Sequence, residues 1–119
     1  MDKVNIAKKF LMFGDHWHPR IVAEVNDSYV KLARLHGEFV WHNHEIEDEM
    51  FLVVRGSLRI KLRDNEILLG EGELAVIPRG VEHCPVADEE CEVMLFEPKG
   101  TLNTGGVKSR RTVEKLDWI

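Results

Sequence analysis

The chain has 119 residues, of which 44% are hydrophobic, and its formal net charge at pH 7 is −5. This length supports one domain with its own hydrophobic core. A net negative charge gives no electrostatic basis for binding nucleic acid or anionic membranes. The longest apolar runs, such as residues 50–54, are too short to cross a bilayer. We expect a single domain over residues 1–119 that binds neither nucleic acid nor membrane.

The first residues and the two cysteines indicate a compartment. Residues 1–5 lack an apolar signal core followed by a small-residue cleavage site. Cys84 and Cys91 are too few to form a disulfide scaffold. We therefore expect a reducing, cytoplasmic location in which both thiols are packed and inert.

The N-terminal residues predict a short helix. Apolar residues recur at helical spacing over residues 5–13. Asn5 could cap the first turn and Gly14 could end the last one. Beyond Pro19 the helical pattern is lost.

The remainder of the chain predicts short strands separated by turns. Its segments are rich in β-branched and aromatic residues, several alternate apolar with polar positions, and glycine or proline lies between many of them. The predicted strands, roughly nine in number, are residues 20–25, 28–36, 38–44, 50–54, 57–63, 67–69, 74–77, 82–86 and 91–97. This spacing predicts an all-β barrel or sandwich.

A group of histidines and acidic residues suggests a metal site. His42 and His44 are two positions apart, so on a strand they share a face. Neutral imidazoles and a carboxylate are ligands that divalent transition metals accept. Glu49 and His83 could complete such a set, although Glu45, Glu47 and Asp48 are alternative carboxylates. An isolated pair of this kind is more often two surface histidines.

Another histidine pair repeats the spacing. His16 and His18 are also two positions apart, but no acidic residue or histidine follows them at a matching distance. We expect them to lie at the surface or at the rim of a pocket. The acidic residues before Glu49 are expected to form a solvated turn.

Two segments resemble the signatures of the cupin superfamily. Residues 37–56 read GEFVWHNHEIEDEMFLVVRG and resemble the first signature, G-x5-H-x-H-x3,4-E-x6-G. Residues 72–83 read GELAVIPRGVEH and match the start of the second, G-x5-P-x-G-x2-H. The chain departs from the pattern twice: the first spacing after Gly37 is one residue short, and Ala87 stands where the second signature often has Asn. Neither departure affects the proposed ligands.

The resemblance implies a fold, a ligand set and a range of functions. The fold is a cupin jelly-roll-like β-barrel, here with a short N-terminal helix. The implied metal ligands are His42, His44, Glu49 and His83, holding a divalent transition metal such as Fe, Mn, Zn or Ni. Cupins include dioxygenase- and isomerase-type enzymes acting on small chelating metabolites, and compact members are often labelled mannose-6-phosphate isomerase-like. Others are non-catalytic, sugar-like small-molecule binding modules.

Two further expectations concern Glu38 and the oligomer. By strand alternation, Glu38 shares the inward face with His42, which makes it a candidate catalytic base or a salt-bridged carboxylate at the barrel mouth. Open sheet edges need covering, and the apolar chain ends could pack across an interface. We therefore expect a homodimer, the alternative being a monomer with both termini folded back. Its expected partner is a small-molecule ligand or substrate.

Overall fold

Seven antiparallel strands and one short helix form the molecule in a computed structural model that describes residues 1–119. The elements are α1 (Ile6–Phe10), β1 (Arg20–Val25), β2 (Ser28–Glu38), β3 (Glu49–Arg55), β4 (Leu58–Lys61), β5 (Glu66–Leu69), β6 (Leu74–Ile77) and β7 (Cys84–Pro98). The predicted all-β jelly-roll architecture is confirmed. The chain has no helix with the length and apolar character needed to cross a membrane.

The long strand β7 organises the sheet. The strand order is β1-β2-β7-β3-β6, and β4 pairs with both β5 and β7. The first residues of β7 pair with β4, whereas its later residues lie between β2 and β3. Because one strand serves three neighbours along its length, the sheet curves into a barrel.

The inward faces of the strands form the main core. Strand alternation places Phe51 and Val53 of β3 inside with Val93 and Leu95 of β7, in a cluster of 13 buried residues. A smaller cluster of Phe10, Val22 and Leu32 lies where α1 covers part of the outer face. Asn5 caps α1 as predicted, accepting a hydrogen bond from the Lys8 amide at 3.0 Å.

The predicted element boundaries differ from the structure in four places. The helix ends at Phe10, earlier than predicted. The predicted strands 82–86 and 91–97 are one continuous strand, β7, because it stays paired to neighbours along its length. The predicted break at Gly37 is instead a register irregularity inside β2, with Gly37 at φ +87°. Residues 39–44 do not form the predicted strand, and His42 makes only an isolated bridge to His83.

Candidate metal centre

Backbone hydrogen bonds bring the two histidine segments together. His42 N donates to His83 O at 3.0 Å, and His83 N donates to His42 O at 2.9 Å. The turn before His83 adds a third bond, in which Gly80 N donates to His44 O at 2.8 Å. Gly80 has φ +83°, a conformation that side chains with a Cβ rarely adopt. Local turn chemistry thus aligns the second signature with the first.

The four predicted ligand residues converge inside the barrel. One ligand atom from each of His42, His44, Glu49 and His83 lies within 4.8 Å of the others, and all four side chains are buried. Glu49 Oε1 lies 3.2 Å from His44 Nε2 and 3.3 Å from His83 Nε2. Glu49 is the buried member of the acidic run, whereas Glu47 is only partly buried.

Two of the histidines carry their ring proton on Nδ1, which suits metal ligation through Nε2. His42 Nδ1 lies 2.9 Å from Val40 O, and His83 Nδ1 lies 3.0 Å from Val81 O. A carbonyl oxygen can only accept, so Nδ1 carries the proton in both rings. The Nε2 lone pairs are left available, with the rings oriented by the carbonyls.

His44 supplies an independent test of whether the site suits a metal. Both of its ring nitrogens are buried, and neither has a hydrogen-bond partner. Buried polar atoms are rarely left unpaired in proteins. A metal bound at this cluster would give the imidazole the partner it lacks, so these residues fit a metal ion.

The electrostatics hold His42 and Glu49 in their ligating forms. Burial, followed by the neighbouring His83, lowers the pKa of His42 to about 4, so its ring is neutral at physiological pH. Burial alone raises the pKa of Glu49, but the adjacent imidazoles of His44 and His83 help lower it below its usual range. A neutral imidazole and an ionised carboxylate are the forms that bind metals.

A small cavity adjoins the cluster. Its volume is about 30 Å³, which is room for about one or two water molecules. Polar and aromatic side chains in its wall include Trp17, Phe39, His42, Glu49, Glu97 and Asn103. Asn103 belongs to the segment after β7, and its Nδ2 donates to Arg111 O at 2.7 Å.

Sequence reasoning missed two buried charged residues beside the cluster. Lys31 Nζ of β2 lies 2.9 Å from Glu97 Oε1 of β7, and both side chains are 2% exposed. Burial, together with the neighbouring Glu49, raises the pKa of Glu97 well above its usual range. Strand alternation could have identified Lys31 as an inward-facing residue, because it lies two positions before the buried Ala33 on the same strand.

The prediction that Glu38 faces inward with His42 is wrong. The Glu38 side chain is 55% exposed, and its Oε1 lies 2.8 Å from Lys61 Nζ. The alternation of side chains between the two faces stops here, because β2 ends at Glu38. The direction of the Glu38 side chain therefore says nothing about that of His42. Glu38 is therefore a salt-bridged carboxylate, as the alternative prediction had it. It makes no contact with the cluster, and its catalytic role stays a prediction.

The other histidine pair lies outside the cluster, as expected. His16 Nε2 is 2.7 Å from Glu90 Oε2, and His18 Nδ1 is 3.3 Å from Asp15 Oδ2. Both side chains are partly exposed. Cys84 and Cys91 are free and buried, and burial raises the pKa of each thiol.

Comparisons with known proteins agree with this geometry. The family model described as "Cupin domain" matches residues 29–97. The structure of a cupin-2 domain containing protein from Shewanella frigidimarina is similar, with TM-score 0.80 and 51% identity, and the alignment covers 81% of this chain and 94% of that one. Protein NMB1881 from Neisseria meningitidis is similar at TM-score 0.75 and 26% identity, covering 82% of this chain and all (100%) of that one.

A protein from Bacillus subtilis (strain 168), YdbB, is 41% identical over 63 residues. That match covers 52% of this chain and 56% of YdbB, so the chain spans about half the length of this relative. The family match extends over more than half of the chain and includes all four clustered residues. The chain therefore belongs to the cupin family.

Proposed function

We propose that the chain binds one divalent transition-metal ion through His42, His44, Glu49 and His83 and uses it to bind a small chelating metabolite. The observation that carries this proposal is the convergence of four buried donor groups within 4.8 Å of one another. The unpartnered nitrogens of His44 support it.

The donor set determines the chemistry that a bound ion would supply. Three neutral imidazoles and one carboxylate leave a divalent ion with one net positive charge. An octahedral ion would keep two positions for a chelating ligand, and would supply Lewis-acid or redox chemistry there. Fe, Mn, Zn and Ni all suit such donors. We propose a dioxygenase- or isomerase-type reaction on that ligand.

A non-catalytic binding module for small, sugar-like molecules is the second candidate. The position of Glu38 favours it, because the predicted base lies outside the barrel, paired with Lys61. The basic residues Arg59 and Arg63 are also paired with carboxylates, so they give no support to a sugar-phosphate site. Turnover of a chelating metabolite by the metal-loaded protein separates the enzyme from the binding module.

We also propose a homodimer in the cytoplasm. β6 has β3 as its strand partner and forms one end of the main strand path, and its outward side chains Leu74 and Val76 are 55% and 54% exposed. A second copy would cover these apolar groups and the strand edge. The two free, buried cysteines are compatible with a reducing compartment.

Metal analysis of protein purified without chelator tests the centre. We expect about one equivalent of transition metal in the wild-type protein and almost none in His42→Ala or His83→Ala. His16→Ala is the matched control, because it removes an imidazole outside the cluster. Stoichiometric metal retained in both ligand variants would show that the assignment is wrong.

A further inference from the structure

A row of three ionisable side chains crosses the interior at the cluster. Lys31, Glu97 and Glu49 lie on the adjacent strands β2, β7 and β3. The β3–β7 register pairs Met50 with Phe96, which brings the inward residues Glu49 and Glu97 next to each other. Glu97 thus lies between a buried ammonium group and a proposed metal ligand.

Fold stability does not account for the pair. Removing two charges from water has a large desolvation cost, and replacing a buried ion pair by packed apolar residues is often neutral or stabilising. Most other ion pairs of this barrel, such as Arg59 with Asp88, lie at the exposed surface. Glu97 instead lines the cavity, where functional polar groups concentrate, and Lys31 is buried behind it.

The contacts of Glu97 connect Lys31 to Glu49. Lys31 holds Glu97 Oε1 at 2.9 Å. The other oxygen, Oε2, is buried and has no partner among the ordinary donors of the chain. The carboxyl of Glu49 is the neighbouring polar group, because the β3–β7 register places Glu49 beside Glu97 and both residues line the cavity. Lys31 therefore fixes the group that lies beside Glu49.

We propose that Lys31 and Glu97 are a positioning pair that holds the Glu49 carboxylate in its metal-ligating orientation. This inference rests on the proposed metal centre and deepens it, because it names the residues that set its affinity and ligand geometry. Groups that orient a metal ligand are typically worth about 10- to 100-fold in metal affinity.

The principal test replaces both partners at once. The double variant Lys31→Met with Glu97→Leu removes the contact to Glu49 without leaving an unpaired buried charge. Arg59→Met with Asp88→Leu is the control, because it replaces an ion pair between β4 and β7 at the exposed surface. The single variant Glu97→Gln preserves the shape of the side chain and both of its hydrogen-bonding positions.

Two measurements on the full chain give the readouts. The affinity for Co(II) is measured by competition with a chromophoric chelator, and the visible spectrum of the Co(II) form reports the ligand geometry. We expect the double variant to bind Co(II) about 10- to 100-fold more weakly with an altered spectrum. Glu97→Gln and the surface control should stay close to wild type, and the melting of the metal-free proteins shows whether folding is affected.

The outcomes separate this inference from the metal centre itself. If wild-type protein binds no stoichiometric Co(II), the metal centre and the positioning pair both fail. If wild type binds Co(II) and the double variant matches it in affinity and spectrum, the positioning pair alone is overturned. If the double variant does not fold, Glu97→Asp decides, because its shorter side chain withdraws the carboxyl from Glu49 without removing it. About tenfold weaker binding supports the inference, and wild-type affinity overturns it.

Discussion

The backbones of His42 and His83 are hydrogen-bonded to each other in both directions, at 3.0 and 2.9 Å, and their rings lie 4.3 Å apart between centroids. This bridge holds the segment of His42 against that of His83, and it is the only strand-type pairing that residues 39–44 make. The imidazoles are therefore held together by main-chain contacts that do not need a metal, and the site is largely pre-formed.

Metal binding should stabilise the fold. A ligand that binds only the folded state at 1,000 times its dissociation constant adds about 4 kcal/mol to the free energy of unfolding. We expect denaturant melts to show a gain of this size when Zn(II) is added, and a much smaller gain for His44→Gln. An equal gain in both proteins would mean that the stabilising ion binds elsewhere.

The depressed pKa of His42 should make the metal-free protein sensitive to acid. The unfolded residue titrates near pH 6.5 and the folded one near pH 4, so the unfolded chain binds more protons between these values. The free energy of unfolding therefore falls as the pH falls through this range. The part due to His42 is fully present above pH 6.5 and amounts to about 3 kcal/mol.

Denaturant melts in the presence of chelator check this linkage. Between pH 7 and pH 4, wild type should lose about 3 kcal/mol more than His42→Gln, which has no ionisable ring at this position. The comparison removes the contributions of all other titrating groups. Equal losses in the two proteins, or a His42 NMR titration near pH 6.5, would contradict the prediction.

Gly105 should be required for the segment after β7 to pack against the residues around His42. A Cβ built there would lie 2.0 Å from Asn43 O and 3.5 Å from His42 Cδ2, and the residue has φ +58°. Gly105→Ala must therefore displace the loop from the segment that carries His42. We expect a loss of about 1–3 kcal/mol in the free energy of unfolding and faster removal of bound metal by EDTA.

The adjacent glycine provides the matched control. A Cβ at Gly106 meets nothing within 4 Å, so Gly106→Ala should leave stability and metal-release rate close to wild type. Wild-type behaviour of Gly105→Ala would show that this loop does not limit access to the centre.

The exposed apolar side chains of β6 should lie in the dimer interface. Leu74→Glu with Val76→Glu places two charges where the second copy would pack, and should convert the dimer to a monomer in sedimentation velocity. Leu68→Glu is the control, because Leu68 is 66% exposed on β5. A wild-type monomer, or a dimer that survives the double substitution, would overturn the proposed interface.

Most of the candidate site was predictable because its signals are local. The spacing of His42 and His44, the acidic run ending in Glu49 and the turn before His83 each act within a few residues. Lys31 and Glu97 carried a weaker signal. Strand parity places each of them inside, but nothing in the sequence shows that β2 and β7 bring them together beside Glu49.

Local features of the chain were enough to pick out the four clustered residues, the family and the all-β architecture, since motif spacing and turn residues involve near neighbours. The three-dimensional fold was needed to show that Glu38 lies outside, that β7 is one strand, that Lys31 and Glu97 meet beside Glu49, and that Gly105 lies against Asn43. These features depend on the register between strands and loops far apart in the chain. That register is set by packing of the whole barrel, which no local pattern encodes.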